Sequence, residues 1–261
     1  MKEYIGTEAA CHGRQWAVLH NGYFSDPVVA TSLVETIINV LRESPADYVF
    51  DLGGGTGFLL SQVKSREVPG NPVFVNIDCS EAQLELSNSD GILSVNSSID
   101  GFERSTVAPP KHRALFMMRS VLHYFGEKEL SPMLHRLRNE ANEDEFFIHQ
   151  TACFVNEPDA ECFNKLYELM RTQKWYPTVD DLHRRLSDSG WHVLETAPAA
   201  PLLLTSDELA RRYDLDTGDV TRIREVLAGE SGKTNNVFRL TPAGFEATLH
   251  YHTYVCIAVA G

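Results

Sequence analysis

The chain has 261 residues, 43% of them hydrophobic, with 36 acidic against 23 basic side chains and a formal net charge of −13 at pH 7. That length fits one large domain or one domain plus a cap, and the apolar share is too high for a disordered chain. The charge repels a phosphate backbone, and the densest basic stretches (HRRL and ARRY) have acids nearby, so nucleic acid is not an expected partner.

The five cysteines, Cys11, Cys79, Cys153, Cys162 and Cys256, form no C-x-x-C pair and are odd in number, which points to reduced thiols in a cytoplasmic protein. The first residues contain no apolar signal core, and no run approaches the roughly 20 apolar residues of a membrane span.

In chain order, Asp26 and Pro27 open a helix in which Val29, Leu33, Ile37 and Val40 recur at helical spacing. A short apolar strand, DYVFDL, precedes a glycine cluster, and FLLSQVKSRE reads as the helix after it. NPVFVNID is a second strand. Ser80 and Gln83 have capping-box spacing before the helix EAQLELSNS. GILSV, RALFMM and EFFIHQTACF are further strands, with a helix around LSPMLHRLRNEA in which Pro132 belongs near the start. Asn156 and Asp159 cap the next helix, and Thr178 and Asp181 open one that stops at Gly190. WHVLETA reads as a strand, SDELARRYDL and DVTRIREVLAG as helices, and ATLHYHTYVCIAVA as a closing strand.

This alternation predicts an α/β fold: a doubly wound, Rossmann-like sheet, mainly parallel, with an antiparallel C-terminal strand. The expected layout is an N-terminal helical lid over 1–45, a ligand-binding core over 46–155, cap helices with a core helix and strand over 156–245, and a final core strand over 246–261.

The stretch YVFDLGGGTGF places four glycines within five positions directly after a strand. Glycine allows sharp turns and close approach to the main chain, and a following helix presents unpaired N–H groups. In a doubly wound sheet that crevice is a ligand site. A tight turn without a ligand is the plainer alternative. A P-loop is excluded because its lysine is missing. The dinucleotide pattern G-x-G-x-x-G fails because Phe58 stands where its last glycine should be. D-x-G-x-G-x-G fits, with Asp51, Gly53, Gly55 and Gly57.

That pattern resembles the first motif of the class I S-adenosylmethionine-dependent methyltransferases. The resemblance implies that the loop, including Gly54, passes under S-adenosylmethionine, with Asp51 near its methionine portion. Asp78 ends the second strand 21 positions after Gly57 and, with Cys79 beside it, stands where a carboxylate accepts from both ribose hydroxyls. The same acid would serve NAD. MMRSVLHYF is similar to the family segment ending the fourth strand, and it implies that Arg119 and Ser120 border the methionine end. Where the family carries an acid against the adenine amine, this chain has Ser97 and Ser98, so Ser98 is expected to bond the base and Ile99 to pack on it.

Methyl transfer needs a base only where the acceptor loses a proton, and the candidates are the strand-end histidines His123 and His149, each of which has packing as its blander explanation. His250 and His252 share a strand face but lack a third ligand, so no metal is expected. Trp16, His20, Tyr23, Phe24, Tyr167, Trp175 and Tyr176 are candidates for an acceptor pocket, although some of these rings must simply anchor the cap.

The expectation is therefore an S-adenosylmethionine-dependent methyltransferase acting on an O or N atom of a small organic acceptor, with no nucleic acid or membrane partner and a homodimer allowed. The alternatives are an NAD-dependent oxidoreductase and a non-catalytic module that binds S-adenosylmethionine.

Overall fold

The structure, a computed structural model, describes residues 22–87, 91–234 and 237–260. Trp16 and His20 therefore lie outside the described residues.

After a 3-10 turn over 22–25, helix α1 spans Pro27–Glu43, with Asp26 accepting from the Val28 N–H at 2.8 Å. Strand β1 is Tyr48–Leu52, α2 Phe58–Lys64, β2 Val73–Asp78, α3 Glu81–Leu84, β3 Ile92–Asn96 and β4 Ala114–Arg119. Helix α4 is Gly126–Glu140, β5 Phe146–Ala152, α5 Glu157–Leu169, α6 Val179–Asp188 and β6 Trp191–Thr205. Helices α7, Ser206–Tyr213, and α8, Thr217–Leu227, lead to β7, Phe238–Leu240, and β8, Phe245–Ala258. Among the described residues no helix is long and apolar enough to cross a membrane.

The strands form one mixed sheet in the order β3-β2-β1-β4-β5-β8-β6, with β7 also on β8. Strands β1 to β5 run parallel, and β8 is antiparallel to β5 and β6. Both faces of β1 and β4 are covered, which is why those central strands are largely apolar. Period-2 alternation divides β1 between them: Phe50 joins α4 and α6, whereas Val49 joins α1 and α2. On α1, Leu33, Ile37, Ile38 and Leu41 make the buried stripe.

Three expectations shift. Helix α4 starts at Gly126, so Pro132 sits inside it. Pro132 is exposed, and water can serve the carbonyl its ring leaves unpaired. Helix α3 is a single turn, and Ser80 caps it without a side-chain hydrogen bond.

The third change is larger. Strand β6 runs for 15 residues rather than stopping near Ala197, and pairs with β8 as far as Thr205. Pro198 and Pro201 hide this in the sequence. Both are tolerable because β6 is the outermost strand of its side, with register shifts at Val193/Glu195 and Ala199/Leu202. The cap is thus an outgrowth of two core strands. Its own apolar cluster joins α5 and α8 to the far halves of β6 and β8 and to Tyr23 and Phe24.

Candidate functional site

Strand order reverses between β1 and β4, and the chain leaves both strands at the same rim. Such a switch point opens a crevice outside the carboxyl ends of the strands. The glycine loop occupies it. Gly53, Gly55 and Gly57 all have left-handed φ, at 72°, 56° and 72°, which a side chain rarely tolerates. Gly54 is needed for space: a Cβ there would stand 2.3 Å from Asn76 Oδ1 and 2.6 Å from Asp51 Cγ.

Asp51 is only 1% exposed, and its Oδ2 has no hydrogen-bond partner among the described residues. Burial pushes its pKa up to about 7, the Asp78 charge adds to this, and Arg119 opposes it. Asn76, register partner of Asp51, is fully buried and donates to Gly55 O at 3.0 Å, while its Oδ1 is likewise unpartnered among the described residues. Two buried acceptors thus lie beside the one glycine whose missing side chain leaves room.

Asp78 holds the loop from the other side. Its Oδ2 accepts from the Gly55 N–H at 2.9 Å and its Oδ1 from the Ser80 N–H at 2.8 Å. Burial raises its pKa and these N–H groups oppose the rise. Each oxygen keeps a second lone pair for a ligand hydroxyl. The Ser97 N–H donates to Asp78 O at 3.1 Å, which brings the end of β3 to the same rim. Ser98 caps the following 3-10 turn, and Ile99 Cδ1 lies 3.5 Å from the Cβ position of Gly53. Cys79 is exposed there.

At the end of β4, Arg119 donates to Gln150 Oε1 at 3.1 Å and to Phe24 O at 3.3 Å, with its guanidinium over the Tyr23 and Phe24 rings. Ser120 has φ 60° and its Oγ lies 2.7 Å from the Tyr251 hydroxyl. Beyond it, a narrow cleft runs toward the cap, lined by Phe24, Ser120, His123, Tyr124, Tyr167, Lys174, Tyr176, Leu202, Leu204, Arg212, Leu249 and Tyr251.

The structure brings together Asp51, the four glycines, Asp78, Cys79, Ser97 to Ile99, Arg119 and Ser120. It separates the two histidines. His123 lines the cleft, stacked on Tyr176 with centroids 5.1 Å apart. His149 is fully buried between Phe147 and Tyr254, both nitrogens without partners among the described residues, and burial lowers its pKa to about 3. It points into the core, away from the cleft lining. Phe24, Tyr167 and Tyr176 line the cleft. Tyr23 backs Tyr251 one layer out, and Trp175 lies under Arg185 outside the lining.

Sequence reasoning missed Asn76, Gln150, Lys174, Arg212 and Tyr251. The first two carried a signal, a polar residue inside an otherwise apolar buried strand. The other three are scattered in sequence and meet only through the cap.

Comparison with solved structures gives the same architecture. The YcgJ protein from Bacillus subtilis superposes with a TM-score of 0.67 at 12% identity, covering 88% of this chain and 100% of that one. A Burkholderia thailandensis 1,6-didemethyltoxoflavin-N1-methyltransferase, solved with bound 1,6-didemethyltoxoflavin and S-adenosylhomocysteine, covers 99% of this chain and 90% of its own, at 13% identity and a TM-score of 0.57. The fold is that of the class I S-adenosylmethionine-dependent methyltransferases. The cyclopropane synthase MmaA2 from Mycobacterium tuberculosis shares this methyltransferase fold at 12% identity, covering 87% of this chain and 83% of its own, with a TM-score of 0.55. No family model and no curated relative matches the chain.

Proposed function

We propose that the protein is an S-adenosylmethionine-dependent methyltransferase that alkylates an O or N atom of a small organic acceptor held in the cleft. The observation that carries this reading is the loop between Asp51 and Asp78. There a buried carboxylate oxygen without a partner among the described residues, and a second carboxylate with spare lone pairs, flank a backbone kept bare by four glycines. Such a site fits a ligand with an ammonium at one end and vicinal hydroxyls at the other. When bound, S-adenosylmethionine supplies an electrophilic methyl group on a sulfonium.

The residues divide the remaining work. Asp51 offers an acceptor to the ammonium, and Arg119, less than 4 Å from Phe24 O, ties the segment before α1 to the rim. Asp78 accepts from the ribose hydroxyls while tethering Gly55. Ser97, Ser98 and Ile99 border the base. Around the acceptor, the cleft's rings and leucines exclude water and fix orientation, which is most of what an in-line displacement requires. His123, on the cleft lining, is the group that would take a proton from an acceptor hydroxyl in this reading. His149 has no role in this scheme.

Isothermal titration with S-adenosylhomocysteine, with NAD in parallel, tests the reading. Micromolar binding of the first and none of the second is expected. Binding of NAD alone would replace it with the oxidoreductase reading.

A further inference from the structure

Ser120 and Tyr251 meet across the sheet. Ser120 follows β4, Tyr251 lies on β8, and β5 runs between the two strands. Their side-chain oxygens are 2.7 Å apart, the residues are 3% and 2% exposed, and both line the cleft. The contact is held from several sides. The Ser120 N–H donates to Gln150 O at 2.8 Å, which fixes a serine whose left-handed φ of 60° is costly outside glycine. Tyr251 stands opposite two small residues, Ala152 on β5 and Ala199 on β6, and its ring stacks on Tyr23 at 5.7 Å. Tyr23 is itself tied through its hydroxyl to Ala200 O. The residue after Ser120 touches the glycine loop: Val121 Cγ2 is 2.9 Å from the Cβ position of Gly53. Ser120 therefore sits at the junction of loop and cleft.

Counting protons at this contact leaves a remainder. Each hydroxyl carries one proton, and a single O···O contact uses one of the two. Whichever oxygen donates, the other keeps an O–H, and neither side chain has a further hydrogen bond among the described residues. Burial holds the Tyr251 pKa well above its ordinary value, so the phenol stays protonated and acts as a donor, not as a base. We propose that the Ser120–Tyr251 pair is the polar anchor of the methyl acceptor, donating its remaining proton to a carbonyl oxygen or a ring nitrogen of that molecule. This rests on the methyltransferase reading above. A ligand atom that accepts the proton satisfies the pair, whereas a hydrocarbon of the same shape leaves a buried donor stranded, and that penalty is what makes such a site selective. The rings and leucines of the remaining lining suit the apolar body of the same molecule.

The test uses the full chain and two matched, uncharged pairs of probes: 4-hydroxyacetophenone against 4-isopropylphenol, and 6-hydroxyquinoline against 2-naphthol. Each is titrated with and without saturating S-adenosylhomocysteine. In at least one pair the first member is expected to bind about tenfold or more tightly, although it is the less apolar of the two. The proton count then sets the pattern among variants. Tyr251→Phe and Ser120→Ala each leave one hydroxyl with its proton, so the preference should survive in at least one of them. It should vanish in the double variant, with the S-adenosylhomocysteine affinity retained. Equal binding within both pairs overturns the proposal, as does binding of no probe, a preference lost in both single variants, or one that survives in the double. Loss of S-adenosylhomocysteine binding in the double variant also overturns it, by assigning the pair to the cofactor. The wild-type comparison stands even where a variant fails to fold. Failure of S-adenosylhomocysteine to bind the wild type would instead overturn the cofactor reading, and the titrations without it still decide the anchor.

Discussion

Around the glycine loop, most of the ligand-facing atoms come from two short stretches of chain, Asp51 to Cys79 and Ser97 to Ile99, and many of them belong to the backbone. The cleft under the cap is walled by side chains that span from Phe24 to Tyr251 and reach it from the sheet, from α7 and from the turns between. The first region needs backbone conformation and empty space. The second needs tertiary assembly. A methyltransferase fold with one cofactor and many acceptors is expected to divide in this way, because the loop's ligand is fixed and the cap's is not.

The comparison breaks most severely at Gly54. Gly54→Val puts atoms on Asp51 and Asn76, which are buried and cannot swing away, at an overpacking cost of about 3 kcal/mol, or about a hundredfold in affinity. Titration should show S-adenosylhomocysteine binding lost while urea unfolding stays cooperative. Loss of folding as well would mean the loop and the core are not separable.

Asp51→Asn comes next and has a pH signature. The folded pKa of Asp51, about 7, lies above its ordinary 3.8, so the folded state holds the proton more tightly. The unliganded protein therefore loses stability as pH rises from about 4 to about 7, on the order of 4 kcal/mol. The Asn variant should be more stable than wild type at pH 8 and equal at pH 4, and it should bind S-adenosylhomocysteine more weakly. Urea midpoints at the two pH values check this. A variant less stable at pH 8 would mean that the carboxylate has a partner when ionised.

Asp78→Ala strands the Gly55 and Ser80 N–H groups and removes the hydroxyl acceptor. S-adenosylhomocysteine binding should weaken by about 1–3 kcal/mol. Unchanged affinity by titration would leave Asp78 as a loop tether only.

How far each region was legible follows from the same contrast. The loop's acids and glycines sit at strand ends and turns, where local sequence fixes backbone conformation, and apolar strands flank them. Asn76 shows the limit: within VFVNID it is conspicuous as the polar residue of a buried strand, yet its task of holding Gly55 O appears only with the register beside Asp51. Lys174, Arg212 and Tyr251 had no local signature, since nothing near any one of them announces the other two. Strand β6 was foreshortened because Pro198 and Pro201 argue against a strand unless it is known to be an edge. The position of His149 in the core was hidden for a related reason. Alternation says that His149 and Ile148 face opposite sides of β5, but not which side meets the rim.

On the cap side, Tyr251→Phe removes the partner of Ser120 Oγ and should cost about 1 kcal/mol of stability, with S-adenosylhomocysteine affinity unchanged. A Ser120→Ala, Tyr251→Phe double variant that costs twice as much would show that the two hydroxyls act separately.

A small effect at neutral pH is also expected at His149, and it sharpens the comparison by contrast with Asp51. Both are buried and lack partners among the described residues, but one is an acid at the rim and the other a base in the core. His149 has its folded pKa lowered from 6.5 to about 3, so the folded state excludes the proton. Its cost is absent above pH 6.5 and grows as pH falls from 6.5 toward 3. Asp51 is harmful when the pH is raised and His149 when it is lowered, and because their windows overlap the two slopes oppose each other between about pH 4 and 6.5. His149→Leu should change stability at pH 8 by less than about 1.5 kcal/mol, flatten the acid limb of urea midpoint against pH, and leave turnover intact. A variant that folds normally and binds S-adenosylhomocysteine but no longer turns over would place His149 in the chemistry after all, and would require a path for protons from the cleft into the core between Phe147 and Tyr254.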